Sequence, residues 1–200
     1  MKKYEFTGET VVVEDGSTLR RIRSLRDFGK GSHSVAKGEL GGWIESEDNL
    51  SHEGNCWVCG EAQVSGNAKV SRNAYVGGRA IICDNATVTD NAVVSEDAWV
   101  SCDAHICDKA IVGGTSWLAS SAYITSKRDY LVVKMMGARD CQANFYRNKD
   151  DNIIVHRGDF IGPTNEFVHM LEYNSRSPKH TAVFKLMTEL AIEQLKRRNE

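Results

Sequence analysis

An unbroken period of six between residues 56 and 125 restricts this chain more than any other feature. Alanine stands at positions 62, 68, 74, 80, 86, 92, 98, 104, 110 and 122, and Cys56 and Ser116 complete the series. Two residues after each comes an aliphatic: Val58, Val64, Val70, Val76, Ile82, Val88, Val94, Val100, Ile106, Val112, Leu118 and Ile124. Twelve hexads therefore run without an insertion, the signature of a repeat architecture. The first four residues of each hexad alternate small, variable, aliphatic, variable, which is the period of a strand. The last two form a corner, as in Gly66-Asn67, Arg72-Asn73, Asp84-Asn85 and Asp90-Asn91. Such residues tolerate the left-handed backbone that a sharp corner needs. A strand this short cannot bury its apolar row alone, so the chain must coil and stack valine on valine. Three hexads close one triangular turn, and the twelve give four turns.

The same register sorts the outward residues into three columns. Trp57, Tyr75, Val93 and Ile111 form the first; Gln63, Ile81, Trp99 and Trp117 the second; Lys69, Thr87, His105 and Tyr123 the third. Two of the three are apolar where a solvated surface is polar, and exposed apolar columns mark contacts. One is expected to be a subunit interface, the other to be covered by a terminal segment. The candidate interface residues are Trp57, Tyr75, Val93, Ile111, Ile81, Trp99 and Trp117. In the third column His105 and Cys107 both point outward. Cys56 and Cys59 have the CxxC spacing of a metal or redox pair but lack a second pair, and the register makes them ordinary repeat positions. No two of the five repeat cysteines share a column, so stacked disulfides are not expected.

The flanks differ. In residues 1–55, Val11-Val12-Val13 and Leu19 to Leu25 read as two strands joined at Asp15-Gly16, a β cap for the open end of the coil. Arg20, Arg21, Arg23 and Arg26 are expected to pair with Glu14, Asp15 and Asp27. After Thr125 the hexads stop. Tyr130–Met136, Asn144–Arg147 and Ile153–His156 read as strands. A helix follows from Thr164 with Phe167, Val168 and Leu171 on one face. Another starts at Ser177-Pro178, with Val183, Leu186, Met187, Leu190, Ala191 and Leu195 at helical spacing. The organisation is thus a cap (1–55), a β-helix (56–125) and a small α+β domain (126–200).

The run Leu19-Arg-Arg-Ile-Arg-Ser-Leu-Arg-Asp-Phe-Gly29, then Gly38-Glu-Leu-Gly-Gly-Trp-Ile-Glu45 leading into Cys56-Trp-Val58, resembles the YdcK-like family of hexapeptide-repeat proteins, over residues 1 to about 125. The resemblance implies a left-handed parallel β-helix, a phage or prophage origin and, as in many hexapeptide-repeat proteins, a homotrimer. Gly137-Ala-Arg-Asp140, Phe145-Tyr-Arg147 and Gly158-Asp-Phe-Ile-Gly162 resemble a tail domain of phage-encoded versions, with Ala138 where serine is usual.

A net charge of -2 does not suggest a bulk nucleic-acid binder. The apolar runs are too short for a membrane span, and a cytoplasmic location is expected. Residues 126–200 carry 13 Lys/Arg against 10 Asp/Glu. Within them Arg139, His156, Arg157 and Arg147 are the candidate ligands for a small anionic, nucleotide-type molecule. No P-loop, paired-carboxylate site or metal cluster stands out, and no cofactor is expected. The leading expectation is a non-enzymatic, oligomeric binding protein directed at a host (defence) protein or a small anionic ligand. One alternative is an acetyl-CoA-dependent acyltransferase with His105 as general base; another is a purely structural trimeric rod.

Overall fold

The structure is a computed structural model that describes residues 2–134, 142–174 and 178–196. The hexads form a β-solenoid. Its strands β4 (Trp57–Val58) to β15 (Tyr123–Ile124) recur every six residues and are two residues long. Each pairs in parallel with the strand one turn away, as Tyr75 with Val93 and His105 with Tyr123. Three flat parallel sheets result. The alanines and aliphatics of the repeat point inward and are at most 1% exposed, so the small and large rows fill the interior between them. Burying a Val or Ile side chain stabilises by roughly 1.5–3 kcal/mol.

The coil has about five turns, because residues before the hexad count add one. Strand β3 (Leu40–Ile44) pairs in parallel with Gln63–Val64, and Leu50 bridges to Val70. Ile44 and Leu50 already stand six residues apart. The offset to the next turn is 20 residues there and 18 below, so two extra residues sit in the corner at Ser51–Cys56. Strands β1 (Tyr4–Val12) and β2 (Thr18–Ser24) form the expected hairpin. They extend the same sheet antiparallel beyond β3, with Gly16 in the left-handed region at its turn. Tyr4, Leu50 and Trp57 are all fully buried and belong to the core cluster at this end.

The lower end meets the C-terminal domain. Strands β16 (Tyr130–Lys134), β17 (Gln142–Arg147), β18 (Ile153–Arg157) and β19 (Phe160–Pro163) form an antiparallel sheet in that order. Helices α1 (Thr164–Asn174) and α2 (Pro178–Leu195) pack on one face of it. The other face presents Tyr146 and Ile154 to the floor of the β-helix. The last turn would leave an open strand edge. Side chains of the sheet cover it: the Trp117 amide donates to Asn144 Oδ1 at 3.0 Å, and Thr115 Oγ1 and Gln142 bond at 2.8 Å.

The arginines of β2 do not pair with Glu14, Asp15 or Asp27. Arg21 meets Glu61 at 3.1 Å, Arg23 meets Glu5, and Arg20 lies over the Phe6 ring, because side chains across a sheet pair by register rather than by closeness in sequence. In α2, Phe184, Thr188, Ala191 and Leu195 face the core, while Leu186 and Leu190 are exposed. The bulky Phe184 ring, edge-on to Phe167, sets the rotation of the helix. Ser177, Met135–Met136 and the tail from Arg197 lie outside the described residues.

Candidate functional site

The second column holds three tryptophans in one outward row. With the added turn it reads Trp43, Gln63, Ile81, Trp99, Trp117, one residue per turn in strict register. Trp99 and Trp117 stack with ring centroids 5.0 Å apart and are 40% and 37% exposed. At the top, the Trp43 indole donates to Glu61 at 3.0 Å under the Arg21 guanidinium. At the bottom Trp117 rests on the buried His156 ring, 4.2 Å away. The margin carries the Arg79–Asp97 ion pair. The hexad dictates this flat face: residues 18 apart point the same way, so tryptophans at one position of successive turns must stack.

The first column is largely occupied. Trp57 is fully buried beneath Phe28 and Tyr4, and Tyr75 lies under the His33 ring. The segment before the hexads therefore covers the upper half of this column. Val93 below it is half-buried, and Ile111 is 52% exposed. In the third column Lys69 is exposed, and His105 is half-buried with its ring stacked on Tyr123.

Three of the cysteines are packed groups. Cys59, Cys83 and Cys107 lie 24 residues apart, one turn plus one side. Each sits beside an aromatic of the next turn. Cys59 Sγ is 2.8 Å from the Tyr75 hydroxyl, Cys83 Sγ accepts from the Trp99 indole at 3.3 Å, and Cys107 bonds the Tyr123 hydroxyl. Burial pushes the Cys83 thiol up to about 11 and raises the other two, which keeps them protonated. Cys107 is buried, not outward as the alternation implied, because Tyr123 lies over it. Asp90, Cys107 and Asp108 bring their ligand atoms within 4.8 Å of one another, but Arg72 already pairs with Asp90 at 2.9 Å.

The basic residues proposed for an anion do not converge. Arg147 is buried between Asp151 at 2.7 Å and Asp129 at 3.7 Å. His156 faces Trp117, whereas Arg157, the next residue of β18, lies over the Phe184 ring on the helix side. Alternation along a strand puts those two on opposite faces. Arg139 lies outside the described residues. A shallow cleft of about 420 Å³ lined by Phe160, Glu166, His169, Met170 and Tyr173 went unnoticed in the sequence, since nothing in the spacing of those residues marks a site.

Comparison with known proteins places the repeat. The YdcK β-solenoid repeat model matches residues 62–78 and 80–101. A protein of Escherichia coli (strain K12) named as an uncharacterized acetyltransferase, YdcK, is 38% identical over 65 residues, which is 29% of this chain and 19% of that protein. The chain therefore spans about a fifth of the length of that relative. Period, register and match together make residues 56–125 a hexapeptide-repeat β-helix similar to the YdcK β-solenoid.

Proposed function

We propose that this chain is a non-enzymatic binding protein that works as a homotrimer, its subunits joined through the Ile81–Trp99–Trp117 face. The observation that carries this reading is the stacked, half-exposed tryptophan pair on a flat rigid sheet. Aromatic residues dominate interface energetics, and desolvating two indoles rewards association far more than their hydration does. The Arg79–Asp97 margin offers both charges to a second copy. The partner of the assembled protein is a host protein, in keeping with a phage or prophage origin. A small anionic ligand is less favoured, because Arg147 and Arg157 are engaged elsewhere. Sedimentation analysis at micromolar concentration tests the assembly. The native chain is expected to sediment as a trimer and the Trp99→Ser, Trp117→Ser double variant as a monomer; a native monomer overturns the reading.

A second reading rests on the name of the E. coli relative. On it His105 is the general base of an acetyl-CoA-dependent acyltransferase. Titration with acetyl-CoA decides: heat released by the native chain and lost in His105→Ala supports it, and no heat removes it.

A further inference from the structure

Lys3 is fully buried, a rare state for a lysine. Its Nζ donates to the Cys56 carbonyl at 2.8 Å and lies 3.1 Å from Cys56 Sγ, which is also fully buried. The Phe28 ring covers the amine from another side, 5.4 Å away. Cys56 is distinctive within the repeat. Ten of the other hexads have alanine at its position and one has serine, so its thiol is not needed to fill the coil. The pair sits where the first strand passes over the top of the β-helix, and it joins two segments 53 residues apart.

We infer that Lys3 and Cys56 form an oxidative cross-link, a covalent bond between Nζ and Sγ that fastens the N-terminal strand onto the β-helix. Burial holds the Lys3 amine below the ordinary lysine range and the Cys56 thiol above the ordinary cysteine range. Burial thus disfavours the charged form of each group, and Nζ stands 3.1 Å from Sγ, within reach of the thiol proton. The oxidant is a peroxide, admitted by local opening of the strand. The amine takes the thiol proton, and the thiolate attacks one peroxide oxygen. The O–O bond breaks, and the departing hydroxide takes the proton back from the ammonium and leaves as water. Cys56 is now a sulfenic acid, a species that condenses with nitrogen. The Lys3 lone pair attacks Sγ, the S–O bond breaks, and a second water leaves with the amine proton. One thiol, one amine and one peroxide give one S–N bond and two waters; sulfur is oxidised by two electrons and the peroxide reduced. A thiol reductant reverses the bond.

The test treats the reduced full chain with one equivalent of hydrogen peroxide and maps its peptides by mass spectrometry. The expected product joins the Lys3 and Cys56 peptides with a loss of about 2 Da and falls apart in dithiothreitol. A second equivalent of peroxide adds one oxygen to the joined product, which is then about 14 Da heavier than the two reduced peptides and supports the cross-link equally. Cys56→Ala restores the residue that most hexads carry and keeps the coil intact, and Lys3→Met keeps the aliphatic stem; both must abolish the product. Recovery of Cys56 as free thiol or sulfinic acid, with Lys3 unmodified, overturns the inference.

Discussion

At every corner of the coil from residue 54 to residue 120, one residue in six holds a positive φ. Glycine occupies Gly54, Gly60, Gly66, Gly78 and Gly114, but Arg72, Asp84, Asp90, Glu96, Cys102, Asp108 and Ser120 adopt the same angles. An L-residue there costs roughly 1–2 kcal/mol, which the stacked strands on either side impose. Ser120→Gly relieves that strain at an exposed corner, and it should stabilise the protein by about 1 kcal/mol after the added freedom of the unfolded chain is deducted. Gly78→Ala should do the reverse, by about 2 kcal/mol or more, since its Cβ would lie 2.6 Å from the Glu96 amide nitrogen. Thermal melts of the two variants check both signs. Burial beneath Trp117 holds the His156 imidazole below its ordinary 6.5. The folded protein keeps the ring neutral, while the unfolded chain takes up a proton as pH falls. Its contribution to stability is therefore complete above about pH 6.5 and is lost progressively below it. His156→Gln should flatten the fall in melting temperature between about pH 6.5 and 5; equal slopes would disprove the assignment. The corner pairs were legible in the sequence because their chemistry is local. The pairing of Arg147 with Asp129 was not, because nothing periodic links the two residues.

Among the elements, the added first turn shows where the sequence pattern breaks. Ile44 and Leu50 keep the spacing of six, but the two extra corner residues hide the continuity. In that turn the fully buried Asn49 holds the corner in place. Its Nδ2 donates to the Gly66 and Ala68 carbonyls at 3.0 and 2.9 Å, and its Oδ1 accepts from the Ser46 amide at 2.8 Å. Asn49→Ala removes these bonds and leaves the buried Ala68 carbonyl without its Asn49 donor, at a cost of about 2–3 kcal/mol. Hydrogen exchange should quicken in residues 40–51 and stay unchanged below Val76. The tryptophan face was legible as a column, because side chains 18 residues apart must align. Which apolar column stays open was not. That depends on where Phe28 and His33 fold back, over Trp57 and Tyr75, and no spacing within the hexads encodes it.

For the molecule as a whole, a solenoid is a one-dimensional stack in which each turn contacts only its neighbours, so its ends carry disproportionate weight. The N-terminal strands, with the fully buried Tyr4, pack at the upper end, and Tyr146 from the C-terminal sheet packs at the lower end. Tyr146 is fully buried and belongs to the same core cluster as the inward valines, although 22 residues separate it from Ile124. Tyr146→Ala exposes the floor of the coil and should destabilise by about 3–5 kcal/mol, the usual range for deleting a buried aromatic. A stack does not share that loss evenly. Amide exchange should rise most in the last turn, residues 105–124, less in the turn above it, and not at all near Trp57. An even rise through all the turns would mean that the β-helix unfolds as one unit, and that the C-terminal domain contributes to every rung rather than sealing the last.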